Sequence, residues 1–593
     1  MGKIDPGLKL LVRSSKERRQ TMADDSAFTL EATPGLPARA NILAQFTGPV
    51  AALEAAGLRV RTRAGDVVAG EIDVDSVEAL GAVPGLVRME VSRVLGRELD
   101  DAVPEARVTA LHTGSPPHRG AGVIVGIIDS GIHYEHAAFR NADGTSRILA
   151  IWDQALSPAA GEQHPAGFTY GVEYRKAEID LALASGNPLS TVRHMDLQIP
   201  NDGFHGTHVA GIAAGNGGGA GQGQPAFTFV GVAPKADIVV VANTRGRAAG
   251  ERGLGDSADS LDAVQYIFNV AAAEGRPVVI NQSQGDNVGP HDGTSLLERG
   301  IDNLLTGAGR VLVKSAGNEG ARNRHASGQL NAGATQTVRF SVPNFTSQVV
   351  IDIWYDGADR IDITIDPPGS AAPGPVVAPG NTVTQTLAND NEAFIDSDLN
   401  DPGNSDNRIF VELSPGSESQ VQTGLWALRL TATTATPAPW NAWIQRNSGS
   451  QFRPPFVNAE RTISIPGTAP GVITVGSYVT RGSSVGGLSA FSSRGPTRNG
   501  RQAPTIAAPG EVLIAAQPAS TGDLYGLMQG TSMAAPMVTG AVALMLERNA
   551  TLTAADVRTR LMNTARRDGF TGAAAGNDWG AGKLDANAAF QAS

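Results

Sequence analysis

Four short apolar runs, Val123–Ile128, Ile238–Val241, Val278–Ile280 and Val311–Val313, are rich in β-branched residues and carry no polar alternation. Strands of that kind have to be covered on both faces, which is the condition inside a parallel sheet flanked by helices. Between them, Thr207–Ala214 and Ser257–Ala273 repeat their apolar residues at the helical period. Residues 102–330 are therefore predicted to be α/β. The same texture resumes after 461, with Val472–Val475 as a strand and Met533–Glu547 and Ala554–Ala565 as helices.

The intervening stretch, 331–460, reads differently. Val338–Val342, Val349–Trp354, Ile361–Ile365, Ile409–Leu413 and Leu425–Leu430 are period-two segments separated by Pro, Gly, Asn and Asp turns. That pattern predicts an all-β sandwich or jelly roll with its own hydrophobic core, inserted into the α/β domain. Upstream, 38–101 alternates Ile42–Phe46 (strand), Val50–Ala56 (helix) and Leu58–Arg61 (strand), then, past a turn at Gly65–Asp66, Val67–Ile72 (strand), Val74–Leu80 (helix) and Leu86–Val91 (strand). The order β-α-β-β-α-β predicts a small ferredoxin-like unit. Residues 1–37 read as a polar arm.

Composition removes several function classes. Glycine supplies 71 of 593 residues, about 12% against an average of ~7%, and charged residues are 18% against ~25%. A chain of this length holds three or four domains, compact and loop-rich. The 47 basic and 58 acidic side chains leave a net charge of −11. No segment joins Lys/Arg clusters to aromatics, so a nucleic-acid partner is not expected. With no cysteine, disulfides, thiolate metal sites and a cysteine nucleophile are excluded together. Met1–Pro6 lacks the features of a signal peptide and Lys9 interrupts the apolar stretch Leu8–Val12, which gives a cytoplasmic expectation, with secretion by another route left open. The longest apolar run, Met533–Leu546, is too short to span a bilayer and holds Pro536 and Gly540; it predicts a buried helix and no membrane partner.

Three motifs carry chemistry. In Val125–Gly131 a buried strand ends on Asp129, where open α/β sheets place ligands, although an Asp there also serves as a turn former. His205–Gly211 places two histidines three apart at a helix start; a metal would need a third ligand at recognisable spacing, and none is present. Gly530–Pro536 puts Ser532 at the start of the apolar helix, where a serine is ordinarily an N-cap. All three, in the order Asp, His, Ser, fall at sheet ends of one α/β domain.

On these motifs, over 102–330 and 461–590, the chain resembles the subtilisin-like serine proteases, or subtilases. The resemblance implies an endopeptidase on a subtilisin-like parallel sheet, acting through an acyl-enzyme. Ser532 would be the nucleophile, His205 the general base and acid, and Asp129 the group orienting the imidazole, while His208 would be a packing residue. Ser315–Gly320 matches the segment that supplies the oxyanion-hole amide, here Asn318. Gly253, Leu254 and Gly255 resemble the edge strand that pairs with extended substrate. Ser283, Gln284 and Gly285 would form one wall of the P1 pocket, Ser315, Ala316 and Gly317 the other, and Thr462–Gly467 its floor.

The family also has variable parts. Thr505 stands where an acidic residue is common, and the Gly215–Gly221 loop lacks the side chains that usually help calcium binding, so no metal and no cofactor is expected. The β-α-β-β-α-β unit resembles the inhibitory propeptide of subtilases, which makes the chain's own N-terminal domain a partner beside protein or peptide substrates. The insertion resembles the jelly roll of Csp-type clostridial germination proteases, some of which are pseudoproteases. The alternative function is therefore a catalytically silent, subtilase-like scaffold acting through binding; the retained triad residues and Asn318 argue against it. A sedolisin-like acid peptidase would need a glutamate in place of His205.

Overall fold

The α/β runs assemble into one eight-stranded sheet in the computed structural model, which describes residues 12, 30–31, 38–64, 67–91, 102–196, 204–247, 251–369, 373–434, 437–482 and 484–593. Most of the polar arm, the Gly65–Asp66 turn and residues 92–101 lie outside the described residues. Two compact units result, Met1–Arg97 and Glu98–Ser593.

In the larger unit the strands lie in the order Ile506–Glu511, Ile473–Val479, Arg310–Ser315, Val278–Gln282, Ile124–Asp129, Asp237–Ala242, Ile148–Asp153 and Val172–Arg175. Every neighbouring pair is parallel except the last. Alternate residues of one strand enter different cores: Val125 and Ile127 join the cluster containing the helices His205–Ala214 and Thr531–Arg548, while Ile124 and Ile128 join the one containing Ser257–Ala273. Double-sided burial is why these strands read as unbroken apolar runs. The predicted elements omit both edge strands, Ile506–Glu511 and Val172–Arg175, the strand Ile148–Asp153 beside the latter, and the helices Lys176–Ala184 and Leu296–Leu304.

The helix Thr531–Arg548 is buried from Thr531 to Leu546 and contains Pro536. A proline has no N–H for the carbonyl four residues earlier, which here belongs to Ser532. That carbonyl instead accepts from Ser283 Oγ at 3.1 Å. At Gly540 a Cβ would come within 2.4 Å of Val232 Cβ, so glycine lets the helix pack against that neighbour.

The insertion is two antiparallel sheets around a common core. One has the order His325–Leu330, Ala438–Ile444, Val349–Tyr355, Asn407–Ser414, Glu392–Asp398, Thr382–Thr386; the other Ile361–Asp366, Gly424–Ala432, Thr335–Val342, Gln451–Phe452. Its first strand begins at His325, ahead of the expected start at 331. The segment His-Ala-Ser-Gly-Gln-Leu has no apolar alternation, so only its pairing with Ala438–Ile444 makes it a strand.

The smaller unit runs Arg39–Phe46, Ala51–Ala55, Arg59–Ala64, Val67–Asp73, Val77–Gly81, Leu86–Val91. Its four main strands pair antiparallel in the spatial order Arg59–Ala64, Val67–Asp73, Arg39–Phe46, Leu86–Val91. Leu53, Val77 and Leu80 from its helices share a core with Ile42, Ala44 and Phe46.

Candidate active site

Asp129 is the last residue of a central strand and is 1% exposed. His205 opens the helix His205–Ala214, and its Nδ1 lies 2.7 Å from Asp129 Oδ1, which also accepts from the Ser130 N–H at 2.8 Å. An ionised carboxylate only accepts, so Nδ1 carries the proton and Nε2 keeps its lone pair. The helix packs against Thr531–Arg548, whose second residue is Ser532. Ser532 is buried, and its Oγ is 3.5 Å from Ser283 O, at the outer limit of a hydrogen bond.

Asn318 is held by the residue preceding that serine. Its Oδ1 accepts from the Thr531 N–H at 3.0 Å and from Thr531 Oγ1 at 2.9 Å, while Thr531 Oγ1 accepts from the Gly317 N–H at 3.1 Å. The backbone N–H can only donate, so the amide oxygen must face it, and Nδ2 is turned the other way as a donor. A Cβ at Gly530 would stand 3.2 Å from that Nδ2, so glycine keeps the space beside the amide nitrogen open.

The predicted substrate segments are linked to this group by hydrogen bonds. Gly253 and Leu254 belong to a hairpin, paired Thr244↔Leu254 and Arg245↔Gly253, that stands apart from the main sheet. Gly255 donates to Asn243 O at 2.8 Å, and the Asn243 N–H donates to Asp129 O at 2.8 Å, tying the hairpin base to the aspartate strand. Asn243 Nδ2 also donates to Gln284 Oε1 at 2.9 Å. Ser283, Gln284 and Gly285 continue the strand Val278–Gln282; Ser315, which ends the strand Arg310–Ser315, is followed by Ala316 and Gly317. Residues 462–467 run between the two, since Ser464 N–H donates to Ala316 O and Ile465 N–H to Asp286 O, each at 2.9 Å.

Several residues of the site have no motif to announce them. Asp196 is buried; its Oδ1 accepts from Ser130 Oγ at 2.8 Å, and its Oδ2 from the N–H and Oγ1 of Thr207 at 2.9 and 2.5 Å. It thereby joins the neighbour of Asp129 to the helix turn that begins with His205. Beside it, the fully buried His194 sets Nδ1 against Asp153 Oδ2 at 2.9 Å and accepts the Ile132 N–H on Nε2 at 3.1 Å. His208 is buried with Nε2 2.9 Å from Gly526 O, and burial lowers its pKa to about 4. The inserted sandwich reaches Gly285: Arg446 donates to its carbonyl oxygen at 3.0 Å and lies 3.0 Å from the buried Glu319, which Arg324 approaches at 3.4 Å. These ion pairs are close without hydrogen-bond alignment, because neither Glu319 oxygen has an aligned donor. Trp443 of the sandwich stacks on His291 at 4.1 Å, and Asp352 accepts from the Gly289 N–H at 2.8 Å. A polar interface therefore joins the insertion to the segment following Gly285.

Among the described residues no group of three or more His, Asp or Glu side chains is placed to hold a metal ion, and no helix is long and apolar enough to cross a membrane.

The sequence profile of the subtilase family matches residues 120–582. The chain is 38% identical over 117 residues to the serine protease AprX of Bacillus subtilis (strain 168), covering 17% of this chain and 26% of AprX. It is 32% identical over 179 residues to a subtilisin of Bacillus sp. (strain TA39), covering 28% of this chain and 39% of that protein. The matches thus span well under half of either relative. Among solved structures, the CspB protease of Clostridium perfringens superimposes with a TM-score of 0.71 and 26% identity, covering 83% of this chain and 98% of that one.

Proposed function

Because the chain belongs to the subtilase family, we propose that it is a serine endopeptidase with Ser532 as nucleophile. The observation that carries this reading is the 2.7 Å contact between His205 Nδ1 and Asp129 Oδ1, made while Thr531 orients the Asn318 amide. In the reaction, Ser532 Oγ attacks the scissile carbonyl carbon as its proton passes to His205 Nε2, and Asp129 stabilises the imidazolium that forms. The negative charge on the carbonyl oxygen is met by Asn318 Nδ2 and the Ser532 N–H. The imidazolium then protonates the leaving amine, and water hydrolyses the acyl-enzyme by the reverse proton route. Extended substrate pairs with 253–255 and sets its P1 side chain between 283–285 and 315–317.

Labelling with a fluorophosphonate tests this reading. Wild-type protein should take up the label on Ser532. Ser532→Ala and His205→Ala should lose peptide hydrolysis, and Asn318→Ala should lower kcat with KM little changed. Undiminished hydrolysis by Ser532→Ala would refute the assignment and return the chain to the binding-scaffold alternative.

The finer reading is that residues 38–101 are an inhibitory propeptide and that the sandwich is a jelly roll of the Csp type. The order β-α-β-β-α-β upstream of the matched region supports the first, and the likeness to the CspB protease over 83% of the chain supports the second. A tethered inhibitor has an effective concentration that can reach ~mM, so the uncut chain should be nearly inactive. Full activity of the uncut chain, with no inhibition by a separately added 38–95 fragment at micromolar concentration, would refute the propeptide role.

A further inference from the structure

Lys314 is a lysine where the fold has no use for a charge. It is the penultimate residue of the strand Arg310–Ser315 and is 1% exposed. Its Nζ donates to Ser315 O at 2.5 Å, Ser315 Oγ at 3.1 Å and Ser464 Oγ at 3.3 Å, all uncharged oxygens. Among the described residues no carboxylate pairs with it. Glu319 is taken up by Arg446 and Arg324. Burying an ammonium without a counter-charge is expensive, and an apolar side chain of similar volume would serve packing better. A strongly desolvated, uncompensated titratable group in a cleft points to function.

Its position says which. A Cβ at Gly285 would lie 3.1 Å from Lys314 Cε and 3.0 Å from Ser464 Oγ, and a Cβ at Gly317 would also lie 3.0 Å from Ser464 Oγ. Glycine at these two positions allows the Ser464 segment to close against both walls. The walls begin at the reacting group: Ser283 bonds to the Ser532 carbonyl, and the Gly317 N–H bonds to Thr531. The segments Ser283–Gly285 and Ser315–Gly317 therefore lead away from Ser532 and Thr531 and converge on Ser464, whose hydroxyl lies 3.3 Å from the ammonium.

Resting on the endopeptidase reading above, we infer that Lys314 sets specificity and that this enzyme cleaves after acidic residues, with glutamate at P1. The Ser315 hydroxyl can accept from Nζ while donating its own hydrogen to the incoming carboxylate, and the Ser464 hydroxyl, which donates to Ala316 O at 3.3 Å, can turn to do the same; the carboxylate supplies the counter-charge that Lys314 lacks. Glutamine has nearly the same shape without the charge, and is the proper comparator.

The processed enzyme would be given peptides differing only at P1 (Glu, Gln, Leu), and kcat/KM compared per fluorophosphonate-labelled site, so that misfolded protein is not counted. At pH 6 the Glu/Gln ratio should be at least ~10, the discrimination expected where a buried charge is left unpaired by the wrong partner. Burial and the nearby Arg446 charge lower the Lys314 pKa to about 7. Of the charged groups on the adjoining segments, Asp286, Glu319 and Arg446, it is Arg446 that acts on Lys314. The ratio should therefore fall as pH rises from 6 to 9, whereas titration of the shared base His205 cancels between the two substrates. Lys314→Met and Lys314→Gln should bring the ratio to about 1 at pH 6. A wild-type ratio near 1, or a ratio preserved in both variants, overturns this inference while leaving the endopeptidase reading intact. Absence of both labelling and hydrolysis at every P1 removes that reading, and this inference with it.

Discussion

Substituting alanine for Gly206 should disable the site without touching a reacting atom. Gly206 follows His205, and a Cβ there would stand 2.1 Å from Gly131 O and 3.0 Å from Gly131 N, both backbone atoms of the turn after Asp129. An ordinary contact begins near 3.4 Å, so the helix start and the turn must separate by 3.4 − 2.1 = 1.3 Å or tilt to an equivalent extent. The 2.7 Å contact between His205 Nδ1 and Asp129 Oδ1, and the 3.0 Å bond from the Gly206 N–H to Ser130 Oγ, span that same gap. Opening either by more than ~0.8 Å takes it beyond hydrogen-bond range. The imidazole then loses the partner that fixes its tautomer and stabilises its charge. A misplacement of ~1 Å costs about 10²-fold in rate, equivalent to ~2.7 kcal/mol of barrier. The overpacking itself costs ~1–3 kcal/mol of stability. The assay is kcat per labelled site on one peptide, with thermal unfolding in parallel. Gly186→Ala, which meets no heavy atom within 4 Å, is the control and should behave as the parent. A folded Gly206→Ala protein with kcat within about threefold of the parent would refute the argument that this contact sets the His–Asp distance.

Asp196→Ala leaves Ser130 Oγ and the N–H and Oγ1 of Thr207 without their acceptor, and should lower unfolding free energy by ~3 kcal/mol and kcat more than KM; a denaturant midpoint unchanged from the parent would count against it. Arg446→Ala should cost ~2 kcal/mol, since Glu319 is buried but Arg446 is 30% exposed and Arg324 remains. By calorimetry its loss should exceed that of Arg429→Ala, whose pair with Asp366 is 37% and 27% exposed. Burial holds the imidazoles of His136, His208 and His325 neutral in the fold, with pKa values lowered to about 4, 4 and 3. Their unfolded counterparts bind protons below ~6.5, so the unfolded state takes up more protons there and stability falls as pH drops from 6.5 towards 4. Glu298, raised to about 7 by burial, works in the opposite direction between its unfolded value and 7, and Glu298→Gln should steepen the acid loss measured by urea unfolding between pH 7 and 4.5.

Local pattern carried a great deal of this architecture. The runs Val123–Ile128 and Val278–Ile280 are apolar throughout because each is covered on two faces, and both lie in the central sheet. The period-two segments from Val338 to Leu430 alternate because one face of each meets the sandwich core. Asp129, His205, Asn318 and Ser532 stand out because each sits in a motif constrained by its neighbours: a glycine allowing close approach, or a threonine positioning an amide. Where burial follows a simple period, or chemistry needs adjacent residues, the chain displays it in order.

Other features depend on which segments meet. The strand His325–Leu330 has no period of its own and exists through pairing with Ala438–Ile444. Asp196 is nine residues before His205 in sequence, yet it bonds to Ser130, 66 positions away. Lys314 reads as an ordinary polar residue at a strand end; only the approach of Ser464, 150 residues later, shows its ammonium buried against uncharged oxygens. Arg446 lies in the insertion and bonds to Gly285, 161 residues earlier. Hydrogen bonding and desolvation depend on distance in space and have no sequence period. The chain therefore declares its strands, its helices and its motif residues, while the residues that hold those motifs in place and tune their surroundings are chosen by tertiary contact.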